Sequence, residues 1–190
     1  MKEKLRQALS SRQKSKTNDK RLVESAVLVP VFCKGGEYCI LFTQRSNQVA
    51  YHKGQISFPG GKRSRVDSSP LDTALRESWE EIGLEARDVD VLGELDDFST
   101  TTSSFNISPF VAHIPYPYEF KASRREIDEI FDVPVSALLH EANVKEGTEI
   151  FEGELFIACS YEYKGRVIWG ATARIVQQFL GIWQSVSGAQ

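Results

Sequence analysis

The chain has 190 residues, 41% of them apolar and 26% charged, values of a soluble globular protein that exclude a disordered or fibrous polypeptide and suit one domain with a sizeable core. Its formal charge of -3 is uneven, because the first 21 residues carry eight Lys/Arg against only Glu3 and Asp19 and leave the remainder strongly acidic. An acidic body is a poor partner for long nucleic acid, whose binding depends on phosphate neutralisation by Lys and Arg, and a metal-mediated partner suits it better.

Residues 1–22 read as a basic N-terminal arm, a short surface helix or frayed segment, ahead of a single domain over 23–190. The arm lacks the apolar core of a secretory signal, and its basic character leaves organelle targeting open. No stretch approaches the ~20 apolar residues of a membrane span. A cytoplasmic protein without a membrane partner is expected. Cys33, Cys39 and Cys159, odd in number and without C-x-x-C spacing, read as reduced, buried cysteines of an intracellular protein.

Residues 26–32 and 38–43 are β-rich runs around Lys34-Gly35-Gly36, a hairpin signal. A glycine-punctuated loop follows over 45–61. Ser69 and Pro70 then supply the N-cap and first-turn proline of a helix that Gly83 stops. Residues 89–92, 107–114, 155–163 and 166–169 read as further strands, the last two joined at Lys164-Gly165. Residues 123–139 read as helical with an interruption at Pro134, and 171–183 as a closing amphipathic helix. His113 reads as a core histidine and Gly170 as relief at a strand-to-helix junction. The hydroxyl-rich 99–104 is a turn-forming linker or a ligand contact. Interleaved strands and helices without repeats place the fold in the α/β (α+β) class, with helices covering a mixed sheet.

Within 69–83, Leu71, Ala74, Leu75, Ser78 and Ile82 recur at three- and four-residue steps and form a mostly apolar stripe. Glu77, Glu80 and Glu81, also three and four apart, fall side by side roughly opposite that stripe. Like charges at this spacing cost about 0.2–0.5 kcal/mol per pair. A hard divalent cation such as Mg2+ reverses the sign, since carboxylate oxygens are its ligands and phosphates complete its shell. Three glutamates alone are more often a solvated face, so the flanking residues decide.

Those residues are Phe58-Pro59-Gly60-Gly61, Asp67, and Arg76-Glu77-Ser78-Trp79-Glu80-Glu81-Ile82-Gly83-Leu84. Together they resemble the Nudix box, G-x5-E-x7-R-E-U-x-E-E-x-G-U with U bulky and apolar. Gly61, Arg76, Glu77, Glu80, Glu81, Gly83 and Leu84 match. Asp67 takes the first Glu position, Ser78 takes an apolar one, and eight residues rather than seven separate Asp67 from Arg76. Physically, Gly60-Gly61 permits a tight turn with close backbone approach. Arg76, directed away from the apolar stripe, suits a bidentate pair with a carboxylate that keeps loop and helix in register.

The resemblance implies a three-layer α/β/α sandwich and hydrolysis of a nucleoside diphosphate linked to another moiety. It makes Glu77, Glu80 and Glu81 ligands of Mg2+ or Mn2+ and joins Arg76 to them in one catalytic unit. The ions would neutralise the diphosphate, polarise the attacked phosphorus and lower the pKa of the attacking water, and a carboxylate would take the water proton. Family members differ in that base. Glu126 is the candidate additional base, with Glu129 beside it, although Ser123-Arg-Arg-Glu126 also fits a helix capping box that would occupy Glu126 structurally.

Upstream, residues 41–46 (LFTQRS) and 54–61 (GQISFPGG) resemble a second signature, L-L-T-x-R-[S/A]-x3-R-x3-G-x3-F-P-G-G, of the coenzyme A diphosphatase branch. Segments 107–111, 126–134 and 168–173 look like that branch too, so the likeness covers about 24–180. The second arginine of the signature falls on Ala50. Arg45 remains, and His52 or Lys53 stands in the same loop as a replacement cation or as a solvated residue. Arg45, His52, Gly60 and Gly61 are therefore the candidate substrate-binding residues. The implied reaction cuts coenzyme A or acyl-coenzyme A into adenosine 3′,5′-bisphosphate and (acyl-)4′-phosphopantetheine. Alternatives are a pyrophosphatase for ADP-ribose or NADH, and a catalytically silent nucleotide-binding module, which usually loses the acidic residues kept here. A homodimer is implied only by the resemblance.

Overall fold

The structure is a computed structural model that describes all residues except 18, 20, 49–51, 101–103, 152, 153, 189 and 190, and the backbone alone of 148–151 and 154–158. Along β1 (Val23–Lys34) side chains alternate between two apolar clusters, Ala26, Leu28 and Phe32 joining one and Val29 and Val31 the other. β2 (Glu37–Arg45) divides likewise, with Cys39 and Leu41 on one face and Ile40 and Phe42 on the other. A sheet apolar on both faces has to be covered on both.

Gly35 and Gly36, with φ of 60° and 87°, are the two left-handed residues of the β1–β2 turn. The two strands pair only from Lys34–Glu37 to Val31–Ile40 and then part. β3 (Ile56–Ser57) and β4 (Gly60–Lys62) fill the wedge, β3 pairing with β2 at Thr43 and Gln44 and β4 with β1 from Ser25 to Val27. The wedge sets Gly60 and Gly61 beneath the acidic helix.

That helix, α2 (Pro70–Ile82), covers one face of the sheet, with Ala74 and Ile82 packed among Ala26, Leu28, Leu41 and Phe110. β5 (Asp90–Glu94) and β6 (Phe98–Ser99) pair antiparallel with β7 (Phe105–His113), which runs parallel to β1. β8 (Ile127–Pro134) lies antiparallel on the far edge of β2 and leads into the short α3 (Val135–Leu139). β9 (Val144–Phe151), β10 (Glu154–Tyr163) and β11 (Arg166–Ile168) make a separate antiparallel sheet. With α4 (Gly170–Ser187) and α1 (Lys2–Ser11) they cover the second face, where Leu5, Leu9, Phe42 and Phe179 share a core. The result is a helix–sheet–helix sandwich around a mixed sheet, the class expected. Among the described residues no helix is long and apolar enough to cross a membrane.

Three expectations need correction. The basic start is the short helix expected rather than a frayed segment, but one side of it is packed into the body: Leu5 is 0% exposed, and Arg6, Arg12 and Lys14 pair with Asp90, Asp96, Glu94 and Asp97. The arm's positive charge is matched to the acidic stretch 90–97, a long-range complement that no local pattern announces. Residues 123–139 are helical only in α3. Apolar residues at Ile127, Ile130 and Phe131 imitate a helical step, but pairing with β2 decides the conformation and buries Ile127 and Val133. No helix begins at Ser123, so the capping box does not form; a turn does, Glu126 N donating to Ser123 O at 2.8 Å. Finally, Cys39 and Cys159 are buried but Cys33 is exposed, and all three thiols are free. Burial pushes the Cys39 thiol up to about 11.

Candidate active site

Both ends of α2 are fixed locally. Ser69 Oγ accepts from Asp72 N at 3.1 Å while the Asp72 carboxylate accepts from Ser69 N at 2.9 Å. Gly83 closes the helix at φ 70°. A stiff helix of known start and end then holds its carboxylates at set heights above β4.

Glu81 does not lie opposite the apolar stripe. It flanks the stripe and is 2% exposed. Its Oε2 accepts from Gly60 N at 3.1 Å, and its Oε1 faces Arg45 Nη1 at 3.8 Å, beyond hydrogen-bond reach. Burial pushes this carboxyl up to about 8, against the pull of the Gly60 N–H and the Arg45 guanidinium, with Glu77 and Glu126 adding to the rise. Glu77, one turn earlier, lies against Gly61: a Cβ there would stand 2.5 Å from Glu77 Cδ. Burial raises Glu77 as well, and Arg76 opposes it. Glu80 is exposed and turns to Arg76.

Arg76 joins these parts. Nε and Nη2 donate to Asp67 Oδ1 and Oδ2 at 2.9 and 3.0 Å, and Nη2 also reaches Lys62 O at 3.1 Å. Nη1 donates to Glu77 at 2.8 Å and to Glu80 at 3.0 Å. The bidentate partner expected for Arg76 is thus Asp67, the residue that departs from the box. The guanidinium holds the Asp67 carboxyl well below the usual carboxylate range, against burial and with help from Ser64 N–H and the Thr73 hydroxyl. Thr73 was not singled out by sequence reasoning; its only signal is a hydroxyl three residues before Arg76, on the side of α2 that faces the loop.

Arg45 ends β2, its N donating to Gln55 O at 2.9 Å and its O accepting from Gly54 N at 3.1 Å. Its Nε is buried without a hydrogen-bond partner. His52 stays apart, exposed at φ 58° with Nδ1 2.9 Å from Gln55 Oε1, and Lys53 is exposed too. Ala50 lies outside the described residues. Glu126 is exposed on a turn tied to α2 through Ser123 N and Glu81 O at 2.8 Å, and it is near enough to disfavour charge on both Glu77 and Glu81. Glu129 is instead occupied by Arg166, at 2.6 and 3.3 Å.

Glu77 and Glu81 therefore lie against the consecutive glycines of β4, with Arg45 and Glu126 beside them. Crowded carboxylates, Glu81 buried and Glu77 half-buried, offset only by Arg76 on Glu77 and the more distant Arg45 on Glu81, fit a hard divalent ion. Among the described residues no three acidic, histidine or cysteine side chains converge at metal-ligating distance, Glu80 being drawn out to Arg76. Two hollows behind the Asp67 loop, lined by residues such as Lys16, Thr17, Arg63 and Ser64, contain none of the three glutamates.

The NUDIX domain model matches residues 23–152. NudL of Yersinia enterocolitica, called an uncharacterized Nudix hydrolase, is 35% identical over 156 residues, 81% of this chain and 78% of that protein. The peroxisomal coenzyme A diphosphatase NUDT7 of Mus musculus is 33% identical over 139 residues, 73% of this chain but only 58% of the relative's own length. Among solved structures, a MutT/nudix family protein from Enterococcus faecalis aligns with TM-score 0.60 over 88% of this chain and 64% of that one at 15% identity. The C. elegans Ap4A hydrolase aligns with TM-score 0.51 over 60% of this chain and 82% of that one at 17% identity. These structural likenesses concern the fold. The chain belongs to the Nudix family. It is accordingly a pyrophosphohydrolase, an enzyme that hydrolyses diphosphate bonds.

Proposed function

We propose that the substrate is coenzyme A or an acyl-coenzyme A, cut at its diphosphate into adenosine 3′,5′-bisphosphate and (acyl-)4′-phosphopantetheine. The observation that carries this reading is Arg45 facing Glu81 at 3.8 Å. Arg45 and Gly60-Gly61 belong to the signature of the coenzyme A diphosphatase branch, and they meet around the carboxylates of the box. The similarity to NUDT7 supports the same substrate.

Glu77 and Glu81, with Glu80 at the rim, would hold Mg2+ or Mn2+. When bound, such an ion supplies neutralisation of the diphosphate, polarisation of the attacked phosphorus and a lowered pKa for the attacking water. Arg76, gripped by Asp67, keeps Glu77 and Glu80 aligned. The Gly60 N–H fixes Glu81. Arg45 Nε, a buried donor without a partner, is the kind of group that a phosphate oxygen satisfies. Glu126, exposed and adjacent, is the candidate base for the water proton. His52 and Lys53, outside this cluster, are available to the 3′-phosphate from the loop that lacks the second arginine. On this reading the enzyme takes a small molecule rather than nucleic acid or membrane, and the cytoplasm is its proposed compartment, with organelle targeting by the basic start as the alternative.

The test is a panel of coenzyme A, acetyl-coenzyme A, ADP-ribose and NADH with Mg2+ or Mn2+, products resolved by chromatography. Preferential release of adenosine 3′,5′-bisphosphate from the coenzyme A compounds is expected. Faster cleavage of ADP-ribose or NADH would reassign the substrate, and no cleavage of any would point to a silent module.

A further inference from the structure

We propose that Thr73 is a positioning residue of the catalytic site, fitting an aspartate to Arg76 where the box has a glutamate; this rests on the function proposed above. Asp67 Oδ2 receives three donors, Ser64 N at 2.7 Å, Thr73 Oγ1 at 3.0 Å and Arg76 Nη2 at 3.0 Å, while Oδ1 receives Arg76 Nε at 2.9 Å. Thr73 is 0% exposed and Asp67 7%. A donor lost here is not replaced by water, and a buried carboxylate oxygen left short of partners is costly.

Aspartate is one methylene shorter than glutamate, and its loop is one residue longer than the box prescribes. The carboxylate reaches Arg76 because it is pulled onto α2 from one side by Thr73 and anchored from the loop by Ser64. The alternative acceptor of the Thr73 hydroxyl, Ser69 O at 3.5 Å, is distant, so Asp67 is its main partner. With Asp67 held in this way, the guanidinium plane presents Nη1 to Glu77 and Glu80 together. The Thr73 hydroxyl is bonded to Asp67 and Ser69 O and to none of the three glutamates; it acts through Asp67 and Arg76 on the carboxylates proposed to bind the ion.

Three variants test this: Thr73→Val, which keeps the shape and removes the donor, Thr73→Ser, which keeps the donor, and Asp67→Glu, which restores the box residue. Mn2+ affinity is measured by calorimetry without substrate, and kcat and KM on the best substrate of the panel, all well below each melting temperature. Thr73→Val is expected to weaken Mn2+ binding about 10-fold, as outer-shell partners of metal ligands do, and to lower kcat with KM little changed. Thr73→Ser should stay within about twofold of wild type, and Asp67→Glu should lose about as much as Thr73→Val because its carboxylate no longer fits the donors. Thr73→Val that melts lower but binds Mn2+ and turns over like wild type would overturn the inference alone, as would Asp67→Glu that performs as well as wild type. If Thr73→Val does not fold, Asp67→Glu still decides. Wild-type protein that binds no Mn2+ and cleaves no diphosphate would overturn the functional reading and this inference with it.

Discussion

The carboxylate of Glu77 occupies the space that a side chain on Gly61 would need, 2.5 Å from an ideal Cβ. Gly61→Ala should therefore leave the fold intact, because the obstructing atoms end a flexible side chain, yet displace a proposed ligand. A loss of about 10-fold or more in Mn2+ affinity, with a nearly unchanged melting temperature, is expected by analogy with displaced ligand partners. Gly60→Ala should behave differently. Gly60 has φ 154°, and its Cβ would strike the backbone of Ala26 and Val27; a stability loss of about 1–3 kcal/mol follows from such backbone strain. Calorimetric melting of the two variants separates site from scaffold.

Asp67→Asn should remove an ion pair that is almost wholly buried on the Asp67 side, at about 3 kcal/mol near neutral pH. The dependence on pH has a definite sign. A carboxyl held below its ordinary value contributes stability above its unfolded pKa of about 3.9 and loses it as pH falls toward the folded value. The gap between wild type and Asp67→Asn, from urea unfolding at several pH values, should be full above about pH 5 and shrink steadily below about pH 4. A gap independent of pH would contradict the depressed carboxyl.

Leu5→Ala should cost about 2–5 kcal/mol, as for other fully buried leucines. Lys4→Gln, on the exposed side of the same helix, should change stability by less than about 0.5 kcal/mol. Thermal unfolding of both variants decides whether α1 belongs to the folded unit; a Leu5→Ala protein that melts like wild type would show that it does not.

Where the chain's own signals are local, they proved readable. Ser69, Pro70 and Gly83 bound α2 correctly, Gly35-Gly36 turns the first hairpin, and the bidentate role of Arg76 found its acid in the loop. Non-local choices escaped. Residues 127–134 carry charges at Asp128 and Asp132 that suit an edge strand, but only the exposed flank of β2 makes them one. Glu81 is buried because β4 rises against α2, which a helical projection cannot show. Thr73 could be recognised only once Asp67 was seen to lean on it.

The claim that everything else depends on is that Glu77 and Glu81, both raised by burial, are held side by side to bind a divalent ion. Its most direct test is a calorimetric titration of Mn2+ into wild type, Glu77→Gln and Glu81→Gln, each variant losing a carboxylate ligand without losing shape. Loss of about 10-fold or more in affinity in each, with the fold retained, is the expected result. Variants that bind Mn2+ as tightly as wild type would contradict it.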